Sequence, residues 1–395
     1  MSEESVLKNK FKQGYAAIFY EQWPPLVGGL LLGLFSILIV AWSRPWGIVG
    51  GIRNWADWLF YGIGLYPERP ENPFLFSSSI MDIGFLVGTF GSALLAKEFA
   101  LRLAPPLEMA KGFGGGILMG LGSALAIGCN VGAFYTPLIN LSANGFAMMI
   151  GLIAGAFIGL KYLLWELEKF PPKSSFVPPG PAGEKGFDWK NVQPYLGALV
   201  IIGLVIGAYV YAGRAYTEIG GLLLFGAAFG IILQRCRFCY VRAFRDPFMT
   251  GEAAIAKAIA VSIVLGALGV AVLKWNGMKA DTLYVIPSFW WGSLVGGLIF
   301  GVGMVIAGGC GSGTLWRVGE GQLKLWAALF TFATVNSLTN TFLRSTGWRQ
   351  KLGKAVFLPD IFGWGRSLIL IALVLWLWYL VVTWNEETNK FTVGL

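Results

Sequence analysis

Residues Gly112 to Leu160 run for 49 positions without a charged side chain. A helix crossing the hydrocarbon core of a bilayer needs about 20 apolar residues. The run is therefore too long for one span and must contain a break. A second uncharged run, Ile286 to Trp316, covers 31 residues and ends in Ala307-Gly308-Gly309-Cys310-Gly311-Ser312-Gly313. Each glycine weakens a helix by roughly 1 kcal/mol relative to alanine, so a lipid-facing helix gains nothing from this composition. Unwound backbone is tolerated at membrane depth only where protein or a water-filled cavity surrounds it. The Cys310 thiol is thus expected to face a protein-lined cavity.

Composition agrees with an all-α polytopic membrane protein. Charged residues make up 13% of the 395-residue chain and hydrophobic residues 56%, with a mean hydropathy of +0.65; a soluble domain carries about 25% charge. The 55 glycines suit close helix packing in lipid. The net charge of +9 is spread between apolar runs, which points to lipid headgroups and the positive-inside rule rather than to nucleic acid. The chain has no histidine, which removes His-ligated haem, His-based zinc sites and His general-base catalysis. No cofactor or metal is expected. The first 13 residues show no short apolar core with a cleavage site, so no signal peptide is expected.

The apolar pattern places spans at 24–41, 80–97, 145–164, 194–213, 218–234, 254–273, 287–307, 325–343 and 367–384, with broken or half-length helices between them. Residues 1–21 read as a polar lead-in with room for an amphipathic surface helix carrying Lys8, Lys10 and Lys12, and 46–66 has room for a short re-entrant helix. The Pro-, Gly- and Lys-rich stretch 166–193 is the one clear linker, dividing a first transmembrane half, 1–165, from a second, 194–395.

An internal repeat joins the halves. At an offset of 181, Gly115, Gly116, Gly120, Gly122, Ala126, Gly128, Cys129 and Gly132 match Gly296, Gly297, Gly301, Gly303, Ala307, Gly309, Cys310 and Gly313. Helices that merely pack alike would share the glycines but not the thiol. The elements 112–140 and 294–322 are therefore read as duplicates, and paired Gly-interrupted segments are the best sequence pointer to a transporter's binding site. After each Gly-Cys a half-helix is expected to begin near Val131 or Ser312, turning free N–H groups and a positive dipole end toward the break. The atoms so gathered belong to Cys129, Asn130 and Gly132 on one side, and to Cys310, Gly311, Ser312, Gly313 and Thr314 on the other. Whether the duplicates are inverted is left open by the sequence.

A third thiol-bearing stretch, 234–252, carries Arg235, Cys236, Arg237, Cys239, Arg242 and Arg245. Its arginines read either as a cytoplasmic positive-inside cluster or as a basic vestibule that concentrates an anion beside a thiol. Zinc at Cys236-x-x-Cys239 would need four ligands, and a thioredoxin-like dithiol would need a βαβ context. Two unrelated cysteines, one of them functional, is the favoured reading. Glu320 either orients the 308–321 break or closes a loop, Asp82 is expected at the interface, and Lys257 is expected to snorkel. Asn336 and Asn340 are expected to bond between helices.

At these residues the chain resembles the YeeE/YedE family of sulfur-transport membrane proteins, which includes thiosulfate permeases. The matching pieces are Gly-Cys-Asn-Val-Gly-Ala-Phe-Tyr (128–135), Arg-x-x-Phe-Cys-Tyr with Ala-Phe-Arg-Asp (235–246), and Gly-Gly-Cys-Gly-Ser-Gly-Thr-Leu with Gly-Glu-Gly (308–321). The Ala-Phe-Arg-Asp segment looks nearest to the YedE branch, described as a selenium transporter branch. The resemblance implies an hourglass-shaped inner-membrane permease with pseudo-symmetric halves and a constriction lined by Cys129, Cys239 and Cys310; Cys236 lies outside the pattern. It also implies a cytoplasmic sulfur-carrier partner of the TusA type. The expected activity is uptake of a small sulfur anion, thiosulfate first, with thiols touching its soft sulfur end and no covalent step. A selenium compound, sulfite or sulfide is the alternative cargo, and a membrane thiol oxidoreductase the alternative class.

Overall fold

In the computed structural model, residues 9–10, 12–170 and 189–393 are described. Lys8 and most of the expected linker lie outside them. Every described element is helical, with isolated bridges but no strand. Among the described residues, nine segments are long and apolar enough to cross a membrane.

The helices are α1 (Pro25–Trp42), α2 (Val49–Gly62), α3 (Ser77–Leu95), α4 (Pro106–Leu125), and α5, a π-wound turn Asn130–Tyr135 continued by Thr136–Ile139. Next come α6 (Asn144–Lys169), α7 (Trp189–Gly213), α8 (Thr217–Arg235), α9 (Tyr240–Met249) and α10 (Ala254–Trp275). The chain closes with α11 (Trp291–Ala307), α12 (Gly311–Gly319), α13 (Leu323–Ser345) and α14 (Trp364–Thr388). The expected spans each find a helix, and the short helix expected at 46–66 is α2.

Neighbours come in matched pairs. Helix α1 packs on α10 as α8 packs on α3; α2 packs on α13 as α9 packs on α6; α4 packs on α13 as α11 packs on α6. Helices α4 and α11 pack on each other. Each pair maps onto its twin when one half of the chain is exchanged for the other.

The glycines fix the sense of that exchange. A methyl group on Gly115 would meet Gly303 and Ala307, and one on Gly122 would meet Gly296 and Phe300. Numbers rise along α4 as they fall along α11, so these equivalent helices are antiparallel. The repeat is therefore inverted, which answers the question the sequence left open. Each of these glycines lies within van der Waals reach of the facing backbone, the close approach that small residues permit in lipid. Helix α6 runs parallel to α11, since Gly151 meets Leu294 and Leu298 while Gly159 meets Val302 and Val305. Helices α4 and α6 are thus antiparallel, and α5 between them must leave and return to one face. It is re-entrant.

The N-terminal residues, the start of α7 and the end of α8 gather on one face. Tyr15 Oη donates to the Leu95 carbonyl, Lys97 Nζ to Asn191 Oδ1, and Arg235 Nη2 to the Glu21 carbonyl. This is called the linker face below.

Candidate functional site

The three cysteine-bearing breaks share one backbone design. Ile127, Arg237 and Gly308 adopt the left-handed conformation, with φ of 58°, 49° and 78°. One residue later, the Gly128 N–H reaches the Ser123 carbonyl at 2.9 Å, Phe238 reaches Leu233 at 2.9 Å and Gly309 reaches Met304 at 3.1 Å. This is the Schellman stop, which satisfies carbonyls that a helix end leaves open. The next residue is the cysteine, extended, at the N-cap of a half-helix. The twins Cys129 and Cys310 share φ of −83°, with ψ of −170° and −174°. Half-helices begin at Asn130 and Gly311, one residue before the expected starts.

The thiols converge. Cys239 Sγ lies 3.7 Å from Cys310 Sγ, which also accepts from the Gly313 N–H at 3.2 Å and lies 3.6 Å from Ser312 Oγ. A methyl group at Gly311 would stand 3.0 Å from Cys129 Sγ, and one at Gly313 would stand 2.7 Å from Cys239 Sγ. Glycine at 311 and 313 keeps this space open. The two halves touch where Asn130 Oδ1 accepts from the Gly311 N–H at 3.2 Å. Those residues are equivalent in the repeat, so the contact straddles the pseudo-twofold axis. Cys129, Cys239 and Cys310 are each 0% exposed, and all four cysteines are free thiols. Cys236 points elsewhere, against Gly28 of α1.

Three polar atoms beside these thiols are buried without a hydrogen-bond partner: Asn130 Nδ2, Thr314 Oγ1 and Tyr240 Oη. A buried polar group left unpaired costs roughly 1–3 kcal/mol. A polar guest would be repaid for entering. Gly132 lies behind Cys129, facing Tyr284.

The expected basic mouth is an ion-pair network. Glu98 Oε2 accepts from Arg235 Nη1 at 3.1 Å, Arg237 Nη2 at 2.9 Å and Gln234 Nε2 at 2.9 Å. Glu320 Oε1 accepts from Arg237 Nη1 at 2.5 Å and Gln234 Nε2 at 2.9 Å. Arg242 bonds Asp246 and Glu252, and Arg245 bonds Asp246. All four arginines thus have carboxylate partners: Glu98 and Glu320, distant in sequence, fold back onto Arg235 and Arg237, while Asp246 and Glu252 pair locally with Arg242 and Arg245. Glu320 is fully buried and ties the end of α12 to the α8–α9 break.

Asp82, in the second turn of α3, is buried at 1% exposure, with Gly51 packed against its carboxylate. Lys257 pairs with Glu386. Asn336 Nδ2 donates across helices to Ser123 Oγ at 2.8 Å, while Asn340 Oδ1 accepts from Arg349.

Sequence reasoning missed Trp316 and Arg317. Trp316 Nε1 donates to the Phe238 carbonyl at 3.1 Å, joining two of the breaks. Its ring lies under the guanidinium groups of Arg237 and Arg317, at 5.5 and 4.8 Å. Arg317 also donates to the Gly308 carbonyl at the end of α11. The only available signal was a Trp-Arg pair shortly after a break.

An inverted-repeat helical bundle whose unwound helices meet at one buried point has the architecture of a membrane transporter. The family model described as "Sulphur transport" matches residues 2–158 and 235–393. The chain belongs to that family, which makes transport of a sulfur compound the activity of its class. It is 28% identical over 326 residues to "Probable transporter YedE" of Salmonella typhimurium, covering 80% of each chain. It is 37% identical over 116 residues to "Thiosulfate transporter TsuA" of Escherichia coli (strain K12), covering 29% of this chain and 32% of that one. TsuA of Spirochaeta thermophila is 40% identical over 112 residues, covering 27% of this chain and 32% of that protein.

Proposed function

We propose that this protein is an inner-membrane permease for a small sulfur-containing anion, thiosulfate first, rather than an enzyme. The observation that carries the reading is the meeting of Cys129, Cys239 and Cys310 at one buried point, beside three polar side-chain atoms without a hydrogen-bond partner. Thiosulfate is a dianion with one soft, polarisable sulfur end. A thiol is a weak donor and an equally soft neighbour, so the sulfur end passes from thiol to thiol by S–H···S contact, with no covalent step. Weak, successive contacts favour release, which conduction requires. Asn130, Gly132 and the Gly311–Thr314 turn meet the oxyanion end.

The linker face is cytoplasmic in this reading, following the positive-inside rule. A TusA-type carrier would collect sulfur there, beside the Arg235–Glu98–Arg237–Glu320 network. Substrate enters from the opposite face. A selenium compound, sulfite or sulfide is the second reading, because the relatives similar over 80% of the chain are YedE transporters of unstated substrate.

The test is uptake of radiolabelled thiosulfate into proteoliposomes. Cys129→Ser, Cys239→Ser and Cys310→Ser should each lower it while the protein still folds; unchanged uptake from all three would remove the thiol path. Competition by selenite and sulfite separates the two cargo readings.

A further inference from the structure

Asp82 is the only charged residue of α3, and the thiol path leaves it without a task. An ionisable side chain inside a membrane span is costly to keep, and where it occurs it marks ion and proton pathways. The Asp82 Oδ2 atom is buried with no hydrogen-bond partner among the described residues. Arg44, the cation in electrostatic reach, spends Nη1 on the hydroxyls of Ser77 and Ser78, at 2.7 and 2.8 Å. An ionised carboxylate placed this way is a poorly compensated buried charge, whereas its protonated form is neutral. We propose that Asp82 is the proton-binding site of a proton-coupled permease, loaded from the face opposite the linker and emptied toward the linker face. The proposal rests on the permease reading and adds the cation that drives it.

The surroundings single out this carboxylate. Gly51 of α2 packs against it. Helix α2 also carries Arg53 and Asp57, which face each other at 3.9 Å, and Asp57 accepts from Ser337 Oγ at 2.5 Å. The other helices that contact α3 meet it through residues that do not titrate: α8 through Leu223 and Gly226, α7 through Val200 and Ile201, α12 through Gly319. From the breaks, Cys129 lies near enough for its charge and that of Asp82 to interact.

Polar side chains run along the same face of α3. Positions 78, 82, 85, 89 and 92 share that face by their spacing of three and four. Ser78, one turn before Asp82, lines a cavity of about 270 Å³ on the face opposite the linker, which brings water within a turn of the carboxylate. Two turns beyond Asp82, Thr89 is fully buried with its hydroxyl unpartnered. Ser92 Oγ then donates to Gln234 Oε1 at 2.8 Å, and Gln234 Nε2 donates to Glu320 and Glu98, each at 2.9 Å. Asp82 thus stands between outer water and a polar lane that ends in two carboxylates at the linker face.

The cargo supplies the reason for a proton. A dianion entering a cell polarised negative inside moves against the membrane potential, and each proton carried with it cancels one of its charges. Ionised Asp82 opposes an anion at Cys129, and protonation removes that repulsion. Proton binding and anion entry therefore favour each other, which is the thermodynamic content of coupling. Helix α10, the twin of α3 in the repeat, contains no acidic residue, so the site belongs to one half alone.

The measurement is labelled thiosulfate uptake into proteoliposomes that hold a pH-sensitive dye, with the membrane potential clamped by potassium and valinomycin. Wild-type protein should accumulate thiosulfate under an inward proton gradient, with thiosulfate-dependent acidification of the lumen. A sodium gradient in its place should drive none. Asp82→Asn, which mimics the protonated side chain, should lose accumulation and acidification yet still exchange internal for external thiosulfate. Asp57→Asn, whose carboxylate is already paired, should keep the wild-type ratio of protons to thiosulfate. Wild-type entry without acidification, accumulation driven by sodium, or acidification that survives in Asp82→Asn overturns the proposal. Should Asp82→Asn fail to fold or to exchange, Asp82→Glu gives the reading. Its retained carboxylate should keep coupled uptake with a displaced pH profile, and an unaltered profile overturns the assignment. Thiosulfate exchange without proton movement removes the proton site alone. If thiosulfate neither accumulates nor exchanges, the permease reading falls and this site with it.

Discussion

The breaks at Cys129 and Cys310 are twins in backbone and strangers in side chain. Both stop a helix with the same turn, both put a cysteine at the same φ and ψ, and both begin a half-helix one residue later. Yet Cys310 receives the Gly313 N–H and lies against Cys239, whereas Cys129 has no side-chain cap and faces Gly311. The residue after each thiol differs too: Asn130 on one side, Gly311 on the other, and the asparagine fills the room that the glycine leaves. Duplication supplies a symmetric frame, and unequal side chains make it directional. A path with identical jaws would bind its substrate equally from both sides.

Substitutions that add to or erase this asymmetry test it. The largest effect is expected from Asn130→Asp, which keeps the acceptor for the Gly311 N–H but adds a negative charge beside the thiols. At a few ångströms and a protein-like dielectric that costs an anion about 4 kcal/mol, so thiosulfate uptake should fall by more than about tenfold. Undiminished uptake would mean that no anion passes Asn130.

A smaller effect concerns the left-handed residue of each turn. Ile127 is β-branched at φ 58° where its twin Gly308 carries no Cβ. Gly308→Ala should destabilise the protein by about 1 kcal/mol, and Ile127→Gly should recover part of the same strain, less what its side-chain packing contributes. Thermal unfolding in detergent reads both, and a gain in stability for Gly308→Ala would contradict the shared-turn account. The smallest effect is expected from Cys236→Ser, whose thiol packs against α1 rather than beside the other three; uptake should stay within about twofold, the scale of a change distant from the path. A complete loss would point to a Cys236–Cys239 dithiol instead.

Much of this was legible in the chain. The uncharged runs announced spans with breaks, and the shared Gly-Cys spacing announced duplicate elements, because both depend on local composition and period. The third break was less visible: its turn is Arg237-Phe238 where the others have Ile127-Gly128 and Gly308-Gly309, so no glycine marks it. The arginines were misleading for a related reason. Arg235, Arg237, Arg242 and Arg245 are adjacent in sequence and look like a free basic cluster, but Glu98 and Glu320 neutralise the first two from more than eighty residues away. Arg44, Arg53, Arg344 and Arg349 are scattered in sequence and look like ordinary loop charges, and they share one cavity.

By itself the sequence determined that this protein is helical, lies in a membrane and carries two thiol-bearing breaks in corresponding places. Hydrophobic length and glycine position are local properties, and local properties can be read along a chain. Only the tertiary structure decided that the repeat is inverted, that Cys239 joins the other two thiols while Cys236 does not, and which arginines are left without a carboxylate. Those outcomes depend on which distant segments pack together, and charge pairing and helix direction exist only between segments.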